Sequence, residues 1–113
     1  MTFHKQDITI ASGGTESSAF GGGGEALVGL VLPTLDSTTI GFEIAPDGAT
    51  YVVVFTSVHG SAPAAATIGT ANTGAIAQAV PEDIGRLAAV CQMKLVTATQ
   101  NSARTIVGLF QTR

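Results

Sequence analysis

From Thr38 to Ile44 the apolar residues Ile40, Phe42 and Ile44 alternate with Thr39, Gly41 and Glu43. Period-two alternation describes a strand with one buried face. Such a strand commits the chain to a sheet, because its backbone N–H and C=O groups need partners. The stretch closes with Pro46, Asp47 and Gly48, and Tyr51, Val53 and Phe55 take up the alternation beyond them. Proline pre-sets a turn φ and glycine reaches positive φ without strain, so the segment reads as a β-hairpin with Pro46, Asp47 and Gly48 as its turn. Phe42, Tyr51 and Phe55 are expected on the core face.

The same pattern recurs along the chain. Ile8 and Ile10 alternate in "QDITIAS"; Ala26, Val28, Leu30 and Leu32 alternate up to Pro33; Cys91, Met93 and Leu95 oppose Gln92 and Lys94. In the final segment, Thr105, Val107 and Leu109 oppose Ile106 and Phe110, which leaves it apolar on both sides. A strand like that is either central in a sheet or lies against a neighbouring subunit. Between these segments lie "SGGTESS", "FGGGGE", "HGSAPAA" and "TANTGA", all rich in residues that turn the backbone. Only "VPEDIGRLAA" reads as helical, over about 81–86, with Pro81 and the acidic Glu82 and Asp83 at its start and Gly85 as its stop. Short strands separated by turns predict an all-β fold, an antiparallel β-sandwich of jelly-roll type with about eight strands. At 113 residues this is a single domain spanning 1–113, with an extended N-terminal arm over 1–7.

Composition bears on partners. Charged residues make up 12% of the chain and apolar residues 45%, against an average of about 25% charged in globular proteins. Part of the surface is therefore expected to face other protein. The net charge of −3, with five Lys and Arg scattered singly, forms no basic stripe, which argues against nucleic acid as a partner. Cys91 has no second cysteine to pair with and no metal-ligand spacing around it. The start "MTFHKQDITIAS" lacks the apolar stretch of a signal peptide, and no apolar run approaches the ~20 residues that span a bilayer. No membrane partner is expected, and synthesis is expected in the cytoplasm.

Chemical motifs are sparse. Asp47 is the only carboxylate between Glu43 and Glu82, whereas a calcium loop needs several oxygen ligands at close spacing. Asp47 is therefore read as part of the turn. The glycines at 21–24 are followed by a strand pattern and no Lys-Ser or Lys-Thr pair, so they read as a flexible connection rather than a phosphate cradle. G-x-S-x-G is absent, His4 lies in the N-terminal arm and His59 in a small-residue loop, and the adjacent Glu82 and Asp83 diverge rather than flank a substrate. Cys91 reads as a small core residue. No catalytic residue, cofactor or metal ligand is predicted, and the chain is not expected to be an enzyme. Phe3, Phe20 and Phe110 lie outside the predicted core faces but are too dispersed for a sugar-stacking platform.

The succession "TIASGGTESSAF", "ALVGLVLPT", "STTIGFEIAPDGATYVVVF" and "VPEDIGRLAAVCQMKLVTATQNSARTIVGLFQTR" resembles small virion proteins of tailed bacteriophages. The resemblance is carried by Ile40, Phe42, Asp47, Gly48 and Tyr51 in the hairpin, by Lys94, Leu95 and Val96, and by Arg104, Thr105 and Ile106. It implies a capsid decoration, or cement, protein on the outside of the head shell, with the major capsid protein and further copies of itself as partners. A homo-oligomer is the expected unit, a trimer being favoured because it fits local threefold positions on a shell. The alternative is a tail-, neck- or fibre-associated jelly-roll module that binds a receptor or glycan. The expected contacts lie in the arm, at Phe3, His4 and Lys5, in the loop from Gly60 to Thr73 with nearby His59, and at Ile68 and Phe110.

Overall fold

The computed structural model describes residues 2–56, 64–70 and 76–112. Every paired strand among them is antiparallel. The first sheet contains β1 (Phe3–Ile10), β11 (Arg104–Gln111), β3 (Ala26–Leu32) and β9 (Ile76–Ala79), in that spatial order. The second runs β2 (Phe20–Gly21), β10 (Gln92–Val96), β4 (Thr39–Ala45) and β5 (Val52–Val53), with β8 (Thr67–Gly69) also paired to β4. A small ladder joins β6 (Phe55–Thr56) to β7 (Ala64–Ala65).

The core is the set of residues that the two sheets turn toward each other. Ile8, Ile10, Leu30, Leu32 and Ile106 come from the first sheet and Ile40, Phe42, Met93 and Leu95 from the second, each with no exposed surface. Fully burying side chains of this size contributes about 1.5–3 kcal/mol apiece. The result is the antiparallel, sandwich-like all-β fold that the alternation predicts. The doubly apolar last strand is accounted for by position, since β11 lies between β1 and β3. Its inward residues Ile106 and Phe110 are buried and its outward residues Val107 and Leu109 half-buried.

The strands number eleven among the described residues rather than about eight, because one edge strand is interrupted. β5 pairs with Glu43 and Ile44, and the Val54 N–H donates to the Phe42 carbonyl at 2.9 Å. There the chain leaves the sheet. It returns at Ala66, whose N–H donates to the Val54 carbonyl at 2.9 Å, and continues along β4 as β8. Beside this break Phe55–Thr56 and Ala64–Ala65 pair as the β6–β7 ladder. The departure corrects the hairpin reading: Val54 is the buried residue, while Val53 pairs with outward-facing Glu43 and Phe55 is 57% exposed.

Two further expectations change. The segment 1–7 is not an arm apart from the fold, because Phe3 to Asp7 form the first half of β1, in register with β11. The glycines at 21–24 are held rather than loose: the Gly22 and Gly24 N–H groups donate to the Ala88 and Ala89 carbonyls at 2.7 and 3.0 Å. They supply donors to carbonyls at the end of a helix that would otherwise lack them. Gly85 is the last residue of the short helix α1 (Glu82–Gly85), as expected, and a second turn, α2 (Leu87–Val90), follows Arg86. Gly85 also marks a close approach, since a Cβ there would lie 2.0 Å from the Leu27 carbonyl oxygen of β3. The pair of helical turns closes one end of the sandwich, with Ile84 and Ala88 buried against it.

Candidate interaction surfaces

The turn of the β4–β5 hairpin is an Asx turn. Asp47 Oδ1 accepts the N–H groups of Ala49 at 2.9 Å and Thr50 at 2.7 Å, and the Gly48 N–H donates to the Ala45 carbonyl at 3.1 Å. Gly48 holds φ +80°, which suits glycine. The Thr50 and then the Ala49 N–H hold the Asp47 carboxyl below its ordinary pKa. This arrangement spends the carboxylate on backbone groups.

Of the contact residues expected from sequence, the structure keeps only some at the surface. Phe3 is 66% exposed and Lys5 is exposed. His4 is exposed too, with its ring stacked on Phe110 at 5.2 Å and Nδ1 2.6 Å from Glu25 Oε2. Phe110 and Ile68 are core residues, 2% and 6% exposed, because Phe110 lies on the inward face of β11 and Ile68 pairs with Ile40 inside the second sheet. Phe20 likewise packs edge-on against Phe110 at 5.8 Å and is buried. His59 lies outside the described residues. The Gly60–Thr73 segment is described only over 64–70, where it forms β7 and β8 rather than a loop. Cys91 is half-buried, directly after α2.

Besides Phe3, large apolar side chains among the described residues reach solvent in two regions. Val52, Val53 and Phe55, at 48%, 48% and 57% exposure, line the point where the chain leaves the sheet, and Ala64 and Ala65 return beside Phe55. Next to them lies a cleft of about 600 Å³ between the second sheet and the segments Asp36–Thr39 and Val96–Ala98. The other region has Val90, 75% exposed, beside a groove of about 970 Å³ between α1–α2 and β3, crossed at its rim by the Glu82–Arg86 ion pair.

Two polar clusters accompany this surface, and neither is legible as a motif. On the outer face of the second sheet, Lys94 Nζ sits 3.7 Å from Glu16 Oε2 and 4.5 Å from the Tyr51 ring centroid, and Tyr51 Oη donates to Gln92 Oε1 at 3.3 Å. Glu43 lies among them with one carboxyl oxygen buried and unpartnered. Burial first, then the charge of Glu16 and a hydrogen bond with it, push the Glu43 carboxyl above its ordinary pKa, while Lys94 opposes them. At the foot of the cleft, Asp36 Oδ2 accepts from the Asn101 N–H at 2.8 Å and from Arg104 Nη2 at 3.0 Å. The same two groups, Asn101 first, lower the Asp36 pKa. Fully buried Gln100 ties this knot together: its Oε1 accepts the Asp36 N–H at 2.9 Å and its Nε2 donates to the Ala98 carbonyl at 2.9 Å.

No group of three or more His, Cys, Asp or Glu among the described residues is arranged to hold a metal ion. Compared with protein-family models, with curated proteins and with solved structures, the chain matches none.

Proposed function

We propose that this chain is a non-enzymatic virion structural protein of a tailed bacteriophage, a capsid decoration protein that binds the outside of the head shell and bridges subunits of the major capsid protein. One observation carries the reading: Val52, Val53 and Phe55 stand half-exposed together at the interrupted edge of the second sheet. Apolar side chains clustered at one edge position favour burial by a partner. Low charge across the chain and the order of its strand motifs support the same reading. A shell offers many equivalent sites, so even a modest interface per copy accumulates into reinforcement. The working unit is a homo-oligomer docked through this apolar edge.

Purified protein mixed with undecorated heads tests this. Wild-type protein co-sediments with the heads in saturable fashion, and Val53→Asp and Phe55→Asp, folded by circular dichroism, lose that binding. Absence of saturable binding by the wild type refutes shell decoration. Electron microscopy of complete particles supplies an independent arm: label over the whole shell supports the proposal, and label at the tail alone replaces it with the adsorption-module reading.

A further inference from the structure

We infer that the free edge of β1 is a self-association site, at which two copies of this chain join their first sheets about a twofold axis passing through Gln6. The inference is independent of what the assembled particle is.

The backbone determines which residues are available. Thr9 turns both its groups away from β11: the Ser18 N–H donates to the Thr9 carbonyl at 2.8 Å and the Thr9 N–H donates to Ser18 Oγ at 3.2 Å. Antiparallel ladders alternate strictly. Phe3, Lys5 and Asp7 therefore also direct their N–H and C=O groups outward, while the even-numbered residues bond to β11. β1 is the terminal strand of its sheet, so this edge has no strand beyond it among the described residues. The Ser17–Ser18 segment caps the edge at Thr9 and leaves Phe3 to Asp7 open.

Charge selects the register. Lys5 and Asp7 are exposed on the same face and neither holds an ion pair among the described residues. The other described Lys and Arg residues, Arg86, Lys94 and Arg104, all do. A lysine on an open edge ordinarily deters pairing. Here an antiparallel mate centred on Lys5 would oppose Lys5 to itself, and one centred on Asp7 would oppose Asp7 to itself. The register centred on Gln6 instead sets Lys5 opposite Asp7 of the second copy, twice by symmetry. Those two pairs supply four backbone hydrogen bonds, and opposite charges directly across a ladder attract. The ladder ends there, because the Ser17–Ser18 segment of each copy already occupies the edge at Thr9. Because the contact is isologous it joins copies in twos; a threefold unit uses another surface.

Analytical ultracentrifugation over a concentration series tests it. The wild type shows a monomer–dimer equilibrium. Lys5→Asp and Asp7→Lys each weaken it about tenfold or more, and the double exchange Lys5→Asp/Asp7→Lys restores it, because the swap recreates both attractions. In a Cys91→Ser background, Gln6→Cys forms an intermolecular disulfide under mild oxidation, since facing non-hydrogen-bonded residues have Cα atoms about 4.5 Å apart. A monomer at every concentration overturns the inference. So does a dimer indifferent to both charge reversals whose Gln6→Cys form does not cross-link.

Discussion

Replacing Gly85 by alanine sets two physical rules against each other. Within a helix alanine is favoured over glycine by about 1 kcal/mol, so propensity alone expects a more stable protein. Geometry gives the opposite sign. The new Cβ would stand 2.0 Å from the Leu27 carbonyl oxygen and 3.1 Å from its carbon, where contacts below 3.0 Å essentially do not occur. Leu27 is main chain of β3, held in register by β11, so its oxygen has no room to swing aside. Relief requires α1 to back away by about 1 Å, which loosens Ile84 and Ala88, now 4% and 0% exposed. Overpacking costs about 1–3 kcal/mol, and losing roughly half the burial of Ile84 adds about 1 kcal/mol. Setting the propensity gain of about 1 kcal/mol against these leaves a net loss of about 1–3 kcal/mol. For a domain of this size that lowers Tm by roughly 5–15 °C. Thermal and urea unfolding followed by circular dichroism measures it, with Gly69→Ala as control because a Cβ there meets nothing within 4 Å. A Gly85→Ala protein at least as stable as the wild type refutes the argument.

Gln100→Ala removes the amide that holds Asp36 and Ala98 and leaves buried polar groups without partners, so a loss of about 2–4 kcal/mol in urea unfolding is expected. Glu43 binds its proton more tightly in the fold than in the unfolded chain. Its contribution is present below the ordinary glutamate pKa and lost as pH rises through the raised one, so stability increases on mild acidification from neutrality, and Glu43→Gln flattens that rise. Asp36 and Asp47 have lowered values, so their contribution holds above the ordinary aspartate pKa and disappears as pH falls through the lowered ones; stability therefore declines again in strong acid. Asp47→Asn keeps the oxygen that accepts both turn N–H groups, so folding and assembly persist, whereas Asp47→Ala lowers Tm measurably more.

Local periodicity made the central strands readable: Ile8 with Ile10, Ile40 with Phe42, and Met93 with Leu95 are all buried as their alternation predicts. It failed where strand parity depends on the connection. Residues 46–51 bring Val52 opposite Ile44, so Val54 rather than Val53 or Phe55 turns inward, and nothing within the apolar run indicates that. Gly85 ends α1 as its composition suggests, but its contact with Leu27, and the hold of the 21–24 glycines on the end of α2, are tertiary facts that no local pattern carries. The polar knots are similarly hidden. Asp36 and Arg104 stand 68 positions apart, and Glu16, Glu43 and Lys94 come from separate segments that only the second sheet assembles. Phe110 was misassigned to the surface because a strand apolar on both sides gives no hint of which side faces the core.

The break in the edge strand sets Val54 and Ala66 side by side although they are separated along the chain. Val54 and Ala66 remain directly hydrogen-bonded whatever the chain does between them. Since closing a longer loop costs only a little more entropy with each doubling of its length, sequences of varied size and chemistry can be carried here while the ladder beneath stays the same. A lineage can retarget such a protein, or an engineer can display a peptide on it, by rewriting one insertion.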